Sequence, residues 1–281
     1  MITDWDDAYS NGAYITDGGL YPARWAEAAA AFRASAVAAS RAQLDLSYGP
    51  DPRQRADFFL PAGTPRGLAV FVHGGYWLAF DKSSWSHLAQ GALARGWSVL
   101  IPSYRLAPQV RIPEITGDIA AAITMGAGLI PGPICLAGHS AGGHLVSRML
   151  CADGLLPPAP AARLQRVLSI SGLHDLRPLR RTRMAETLRL SAIDAETESP
   201  ALRLPQPGAR LRLAVGADER PEFLRQSALL ANIWHGLGAE TSLHLLPHAH
   251  HFDICDGLAD PQSALTGYFL EDIAAKSTKS T

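Results

Sequence analysis

The feature that most constrains this chain is Gly138-His139-Ser140-Ala141-Gly142, followed by Gly143-His144-Leu145. The apolar segment Ile134-Cys135-Leu136-Ala137 precedes it, and residues 145–151 carry apolar side chains at helical spacing. The order is strand, tight turn, helix, which is the setting in which a G-x-S-x-G pentapeptide acquires chemical meaning. Such a turn strains the serine backbone, and small neighbours let the chain double back. The Ser140 hydroxyl is then expected at the C-terminal edge of a sheet. The Ala141 N–H, at the start of a helix, would face a developing oxyanion. The rival reading, a small-residue turn without chemistry, is weighed by whether partners exist elsewhere in the chain.

The rest of the chain supplies a sheet for that turn. Gly67-Leu68-Ala69-Val70-Phe71-Val72 and Trp97-Ser98-Val99-Leu100-Ile101-Pro102 are short, nearly continuous apolar runs, as strands buried on both faces are. Residues 166–172, 211–218 and 241–246 read as further strands, and residues 44–49 and 55–60 as a leading pair. Helices are expected over residues 22–44, 84–95, 113–125, 221–236 and 262–275, with a Lys/Ser/Thr tail after the last. Alternating strands and helices predict an α/β fold with a mostly parallel, doubly wound sheet. The chain has 281 residues, 47% of them hydrophobic, enough for one sizeable core. We expect a single domain over 1–281, with cap elements from about 1–45 and from the Arg- and Pro-rich stretch 173–209, where a weak helix lies near residues 184–190.

Charge and cysteine usage narrow the partners. The formal net charge is −1 and no basic stripe occurs, which argues against nucleic acid or an anionic membrane. The first residues are acidic and lack the apolar core of a signal peptide. The longest apolar run, residues 119–130, is ended by Pro131 before it reaches membrane-spanning length. Cys135, Cys151 and Cys255 are an odd set without a nucleophile motif, and fit buried free thiols in a reducing compartment. These features predict a cytoplasmic protein acting on a small molecule, with homo-oligomerisation left open.

A serine hydroxyl needs a base within hydrogen-bond reach, and the base needs an acid to fix its tautomer. In a doubly wound sheet the reacting groups gather at the C-terminal ends of strands. Asp218 ends one predicted strand, with Glu219 its closest rival, and His248, His250 and His251 follow the next. The order Ser, Asp, His matches that of α/β-hydrolases. On the residues alone the three histidines are nearly tied. Three close histidines also suggest a metal site, but no Cys or Glu cluster supports a zinc pattern, and no metal or cofactor is expected. His73-Gly74-Gly75 ends another strand, where backbone N–H groups of Gly75 and Tyr76 would join that of Ala141 in an oxyanion hole. Tyr76 and Trp77 are candidates for lining the substrate pocket. His139 and His144 flank the serine and read as structural.

Several of these stretches resemble one family. His73-Gly74-Gly75-Tyr76-Trp77, the segment from Gly138 to Leu145, Ser171-Gly172-Leu173-His174-Asp175-Leu176, Pro221-Glu222-Phe223 and His251-Phe252-Asp253-Ile254 look like kynurenine formamidases (arylformamidases). These are α/β-hydrolases related to hormone-sensitive-lipase-type esterases, and Tyr104-Arg105-Leu106-Ala107-Pro108 resembles both groups. The resemblance runs from about residue 68 to 256. It implies the triad Ser140, Asp218 and His251, and hydrolysis of an aryl formamide such as N-formylkynurenine without a cofactor. A general carboxylesterase, with the same catalytic groups, is the alternative. A non-catalytic binding protein would usually lack a triad member, and none is missing. There are two departures from the patterns. Tyr76 stands where the lipase-type enzymes usually have a third glycine. Ala185 stands where arylformamidases commonly carry Asn, a change that bears on how an amino-acid head would be held.

Overall fold

The computed structural model describes residues 2–271. Its strands are β1 (Ala42–Ser47), β2 (Arg55–Phe59), β3 (Leu68–Val72), β4 (Ser98–Pro102), β5 (Ile134–His139), β6 (Leu164–Ile170), β7 (Arg210–Gly216) and β8 (Glu240–Leu246). They form one sheet in the order β1-β2-β4-β3-β5-β6-β7-β8. β1 pairs antiparallel with β2, and β2 with β4. All other pairings are parallel, as the alternation of strands and helices predicts.

The central strands are apolar throughout because both of their faces are covered. β3, β4 and β5 are buried at every position. Leu68, Val70 and Val72 of β3 pack on one side with Ile115 and Ile119 of the helix Ile112–Leu129 and with Leu145. Ala69 and Phe71, which point the other way, pack with Trp85, Trp97 and Phe269. This alternation is the period-two geometry of a strand. Each face carries its own layer of helices, and among the described residues no helix is long and apolar enough to cross a membrane.

Three elements differ from the sequence reading. The helix expected over 22–44 is Tyr21–Ala38. Ser40 adopts φ 54°, and the Arg41 N–H bonds back to the Ala36 carbonyl, so the chain reverses into β1. Ala-rich composition favours helix past this point, but pairing of residues 42–47 with β2 overrides it. The segment 84–95 splits into 3₁₀ turns, Lys82–Ser84 and Ser86–Ala89, and a short helix, Gln90–Ala94. Arg33 donates to the Ser83 carbonyl and Ser86 hydroxyl there, and Trp85 buries its ring against Trp25. The last helix is Ala264–Leu270, with Glu271 already extended; residues 272–275 of its expected span and the tail lie outside the described residues. Residues 173–209 form short helical pieces, among them the α-helices Met184–Thr187 and Ala192–Thr197.

The tightest backbone approach lies under the serine turn. A Cβ on Gly142 would sit 2.0 Å from the Val72 carbonyl oxygen and 2.7 Å from that of His73. Nothing lies within 4 Å of a Cβ placed on Gly117, mid-helix in Ile112–Leu129. Urea unfolding should therefore show opposite signs. Gly142→Ala should lower stability by about 3 kcal/mol or prevent folding, whereas Gly117→Ala should raise it by about 0.5–1 kcal/mol.

Candidate active site

Ser140 sits between β5 and the helix Ala141–Arg148, at φ 55° and ψ −117°. A left-handed φ on a non-glycine residue costs on the order of 1–3 kcal/mol and persists only where the surroundings impose it. Here the Ser140 N–H donates to the Ile170 carbonyl at the end of β6, 2.8 Å away. A Cβ on Gly138 would meet the Gly142 carbonyl at 2.2 Å, so the turn closes only with glycine there.

His251 follows β8, and its Nδ1 lies 2.6 Å from Oε2 of Glu219. A carboxylate accepts, so Nδ1–H donates and Nε2 is left for the reacting group. The other Glu219 oxygen accepts from the Ser171 hydroxyl and from the Gly216 N–H at 2.9 Å. Glu219 is buried, 7% exposed, with both oxygens engaged. This corrects the reading of Asp218. That residue is exposed, and its N–H is tied to the Ala249 carbonyl, 3.0 Å away. The chain turns at the end of β7, with the Glu219 N–H returning to the Gly216 carbonyl, so the third residue after the strand faces inward and the second faces out. Two adjacent acids carry no signal in one sequence that says which the turn will bury. Ser171 was also missed; it is buried at φ 51° and bonds to the acid from the end of β6.

The other two histidines diverge from the site. His250 Nε2 meets the Tyr21 hydroxyl at 3.1 Å, while its Nδ1 accepts from the Phe252 and Asp253 N–H groups. His248 is exposed at φ 60°. Among the described residues no three His, Cys, Asp or Glu side chains are grouped to hold a metal ion.

Ser140 and His251 open into one cavity of about 710 Å³, within the range of small-molecule sites. Gly74, Gly75 and Tyr76 line it beside them. A Cβ on Gly74 would stand 3.0 Å from that of Ser140, so this loop lies directly over the serine. His73 fixes the loop from behind. It stacks on Tyr104 at 4.3 Å, the Tyr104 hydroxyl donates to its carbonyl, and burial lowers its pKa to about 4. Trp77 does not line the cavity. Tyr76 and Trp77 take φ 52° and 59°, and the two rings part. Trp77 enters the core, fully buried and edge-on to His144 at 5.2 Å. The aromatic wall comes instead from Trp25, Phe80, Trp85 and Phe252. His139 also lines the cavity, its ring 4.6 Å from that of His251. Burial, with the His251 ring beside it, holds its pKa well below the usual range, so it is neutral.

The roof is the N-terminal segment. Tyr76 donates its hydroxyl to the Tyr9 carbonyl at 2.6 Å, and Tyr9 donates its own to Glu222 at 2.7 Å. Arg220 pairs with Asp7 and lies 3.6 Å over the Tyr14 ring. Of residues 173–209 only Met184 reaches the cavity, and Ala185 is not among its lining residues.

Residues 69–251 match a family model described as an alpha/beta hydrolase fold. The chain belongs to the α/β-hydrolase family. This hydrolase is 25% identical to the kynurenine formamidase of Danio rerio, over 82% of its own length and 81% of that protein. It is 27% identical to that of Salmo salar, with 81% of each covered. A solved structure from Silicibacter sp. TM1040, which carries a provisional thioesterase name, superposes with a TM-score of 0.89 and 52% identity, covering 95% of this chain and 98% of that one.

The two acids are separable by mutation. Glu219→Gln should lower kcat by about 10³-fold or more, because an amide no longer fixes the His251 tautomer. Asp218→Asn should stay within about 3-fold of wild type, as expected for an exposed side chain. Steady-state kinetics on an aryl acetate reads both.

Proposed function

We propose that this enzyme is a serine hydrolase that cleaves aryl formamides through an acyl-enzyme on Ser140. The observation that carries this is Ser140 and the Glu219-held His251 in one cavity walled by aromatic rings. The kynurenine formamidase names of the Danio rerio and Salmo salar relatives support the formamide. His251 takes the Ser140 proton as Oγ attacks the formyl carbon. Glu219 stabilises the imidazolium that forms. The N–H groups of Gly75, Tyr76 and Ala141 hold the oxyanion. The carbon–nitrogen bond then breaks, and the arylamine leaves with the proton from His251. Water, deprotonated by His251, releases formate and restores Ser140.

The second reading is a carboxylesterase on small acyl or aryl esters. The largely aromatic and apolar wall favours it as much as the formamide, and the catalytic steps are the same. With Trp77 withdrawn into the core, Tyr76, Leu78 and Phe80 are the large side chains that this loop presents to the cavity.

Three measurements test the proposal. A fluorophosphonate should label wild-type protein at Ser140 alone, and Ser140→Ala should abolish both labelling and turnover. His251→Ala should lose about 10³-fold or more in kcat, and His250→Ala far less. Finally, kcat/KM for an aryl formamide should equal or exceed that for the best aryl acetate. Efficient turnover of several esters with none of the formamide selects the carboxylesterase.

A further inference from the structure

The cavity can be read for charge as well as shape. Among the described residues that line it there is no Arg, Lys, Asp or Glu. Its titratable groups besides His251 are neutral. Burial holds the Tyr9 and Tyr76 hydroxyls protonated and His139 uncharged. Several charged side chains nearby are engaged in pairs outside the wall. Glu219 is spent on His251, Ser171 and Gly216. Glu222 takes Arg225 through both oxygens, together with Tyr9 and Gln226. Arg220 pairs with Asp7 through Nη2 while its Nε is buried without a partner, and it lines, with Asn11, a separate cleft of only about 10 Å³ rather than the main cavity. Arg183 pairs with Asp6, and its side chain is 94% exposed. An ammonium or carboxylate brought into such a wall loses its hydration and gains no counter-ion.

Among the described residues, three side chains in this wall have buried polar atoms without a hydrogen-bond partner, His139, Trp85 and Asn11, and of these only Asn11 is an amide that offers both a donor and an acceptor. Asn11 is 6% exposed, and both its Oδ1 and Nδ2 are buried without a hydrogen-bond partner. It caps a short 3₁₀ turn, Gly12–Tyr14, without using its side chain for the cap. Its neighbours in the roof, Asp7, Tyr9 and Tyr14, are all bonded. A buried amide with neither end satisfied is costly unless a ligand or an ordered water completes it. An uncharged carbonyl accepts from Nδ2 without bringing a charge into the apolar wall.

We infer that the substrate is an electrically neutral aryl formamide or ester, and that Asn11 reads a neutral carbonyl on its leaving group. The inference rests on the serine-hydrolase reading above and departs from it on one point: a zwitterionic amino-acid head is selected against. Ala185, outside the cavity wall, offers no polar group to hold such a head.

Two matched pairs test it. The first is 2-formamidoacetophenone against N-formylkynurenine, which share the aryl formamide and differ in the amino-acid head. The second is methyl 2-acetoxybenzoate against 2-acetoxybenzoate, which differ in a carboxylate. In each pair kcat/KM should favour the neutral member by at least about 10-fold, a free-energy difference of about 1.4 kcal/mol. Equal or higher kcat/KM for the charged member of a cleaved pair overturns the inference. If formamides are not cleaved while the neutral ester is preferred, the formamide reading fails and the charge inference stands. Asn11→Leu should shrink the preference for 2-formamidoacetophenone over formanilide, and for methyl 2-acetoxybenzoate over phenyl acetate, by about 10-fold. Unchanged ratios in a folded variant that still labels at Ser140 remove the role given to Asn11.

Discussion

The structure depends on a close backbone contact. The helix Ala141–Arg148 starts so near β3 that Gly142 leaves no room for a side chain against the Val72 carbonyl. This contact lets β5 turn abruptly into the helix and holds Ser140 at a positive φ. The strain is local, and its cost is met by a close-packed layer in which Leu145 and Val146 pack beneath the turn, each fully buried. The loop after β3 lies over the serine for the same reason. Val72 and Gly74 belong to the strand end that the helix presses on.

The end of β6 ties the two halves of the site together. Ile170 offers its carbonyl to the Ser140 N–H, and Ser171, the next residue, gives its N–H to the Ala214 carbonyl of β7 and its hydroxyl to Glu219. The turn carrying Ser140 and the turn carrying Glu219 are therefore both tied to one short segment. A buried carboxylate with both oxygens engaged is rigid, and it passes that rigidity to the His251 ring. The strand ends that carry Ser140, Glu219 and His251 are brought side by side by the parallel pairing of β5, β6, β7 and β8.

The roof has a different character. It comes from the N-terminal segment, far from the site in sequence, and is joined through Tyr9, Tyr76 and the Asp7–Arg220 pair. These bonds close the cavity largely with rings and backbone, so Ser140 and His251 lie in surroundings of low polarity, where fixed dipoles act strongly.

The sequence by itself determined the α/β class, the place of Ser140 between strand and helix, the glycine loop before Tyr76 and the strand-end location of the adjacent acids and of the histidines. These features are written in local patterns: apolar runs, glycines where only glycine fits, and the order in which strand ends deliver polar residues. His251 came from a resemblance and stood level with His248 and His250 on pattern alone. What only the tertiary structure decided are matters of direction. It turned Glu219 inward and Asp218 outward, and drew Trp77 into the core while leaving Tyr76 at the cavity. It also brought Asn11 and Trp25 over a serine more than a hundred residues away. Adjacent residues of like chemistry differ only in which way the backbone points them. That direction is fixed by φ values and long-range bonds that no short stretch of sequence contains.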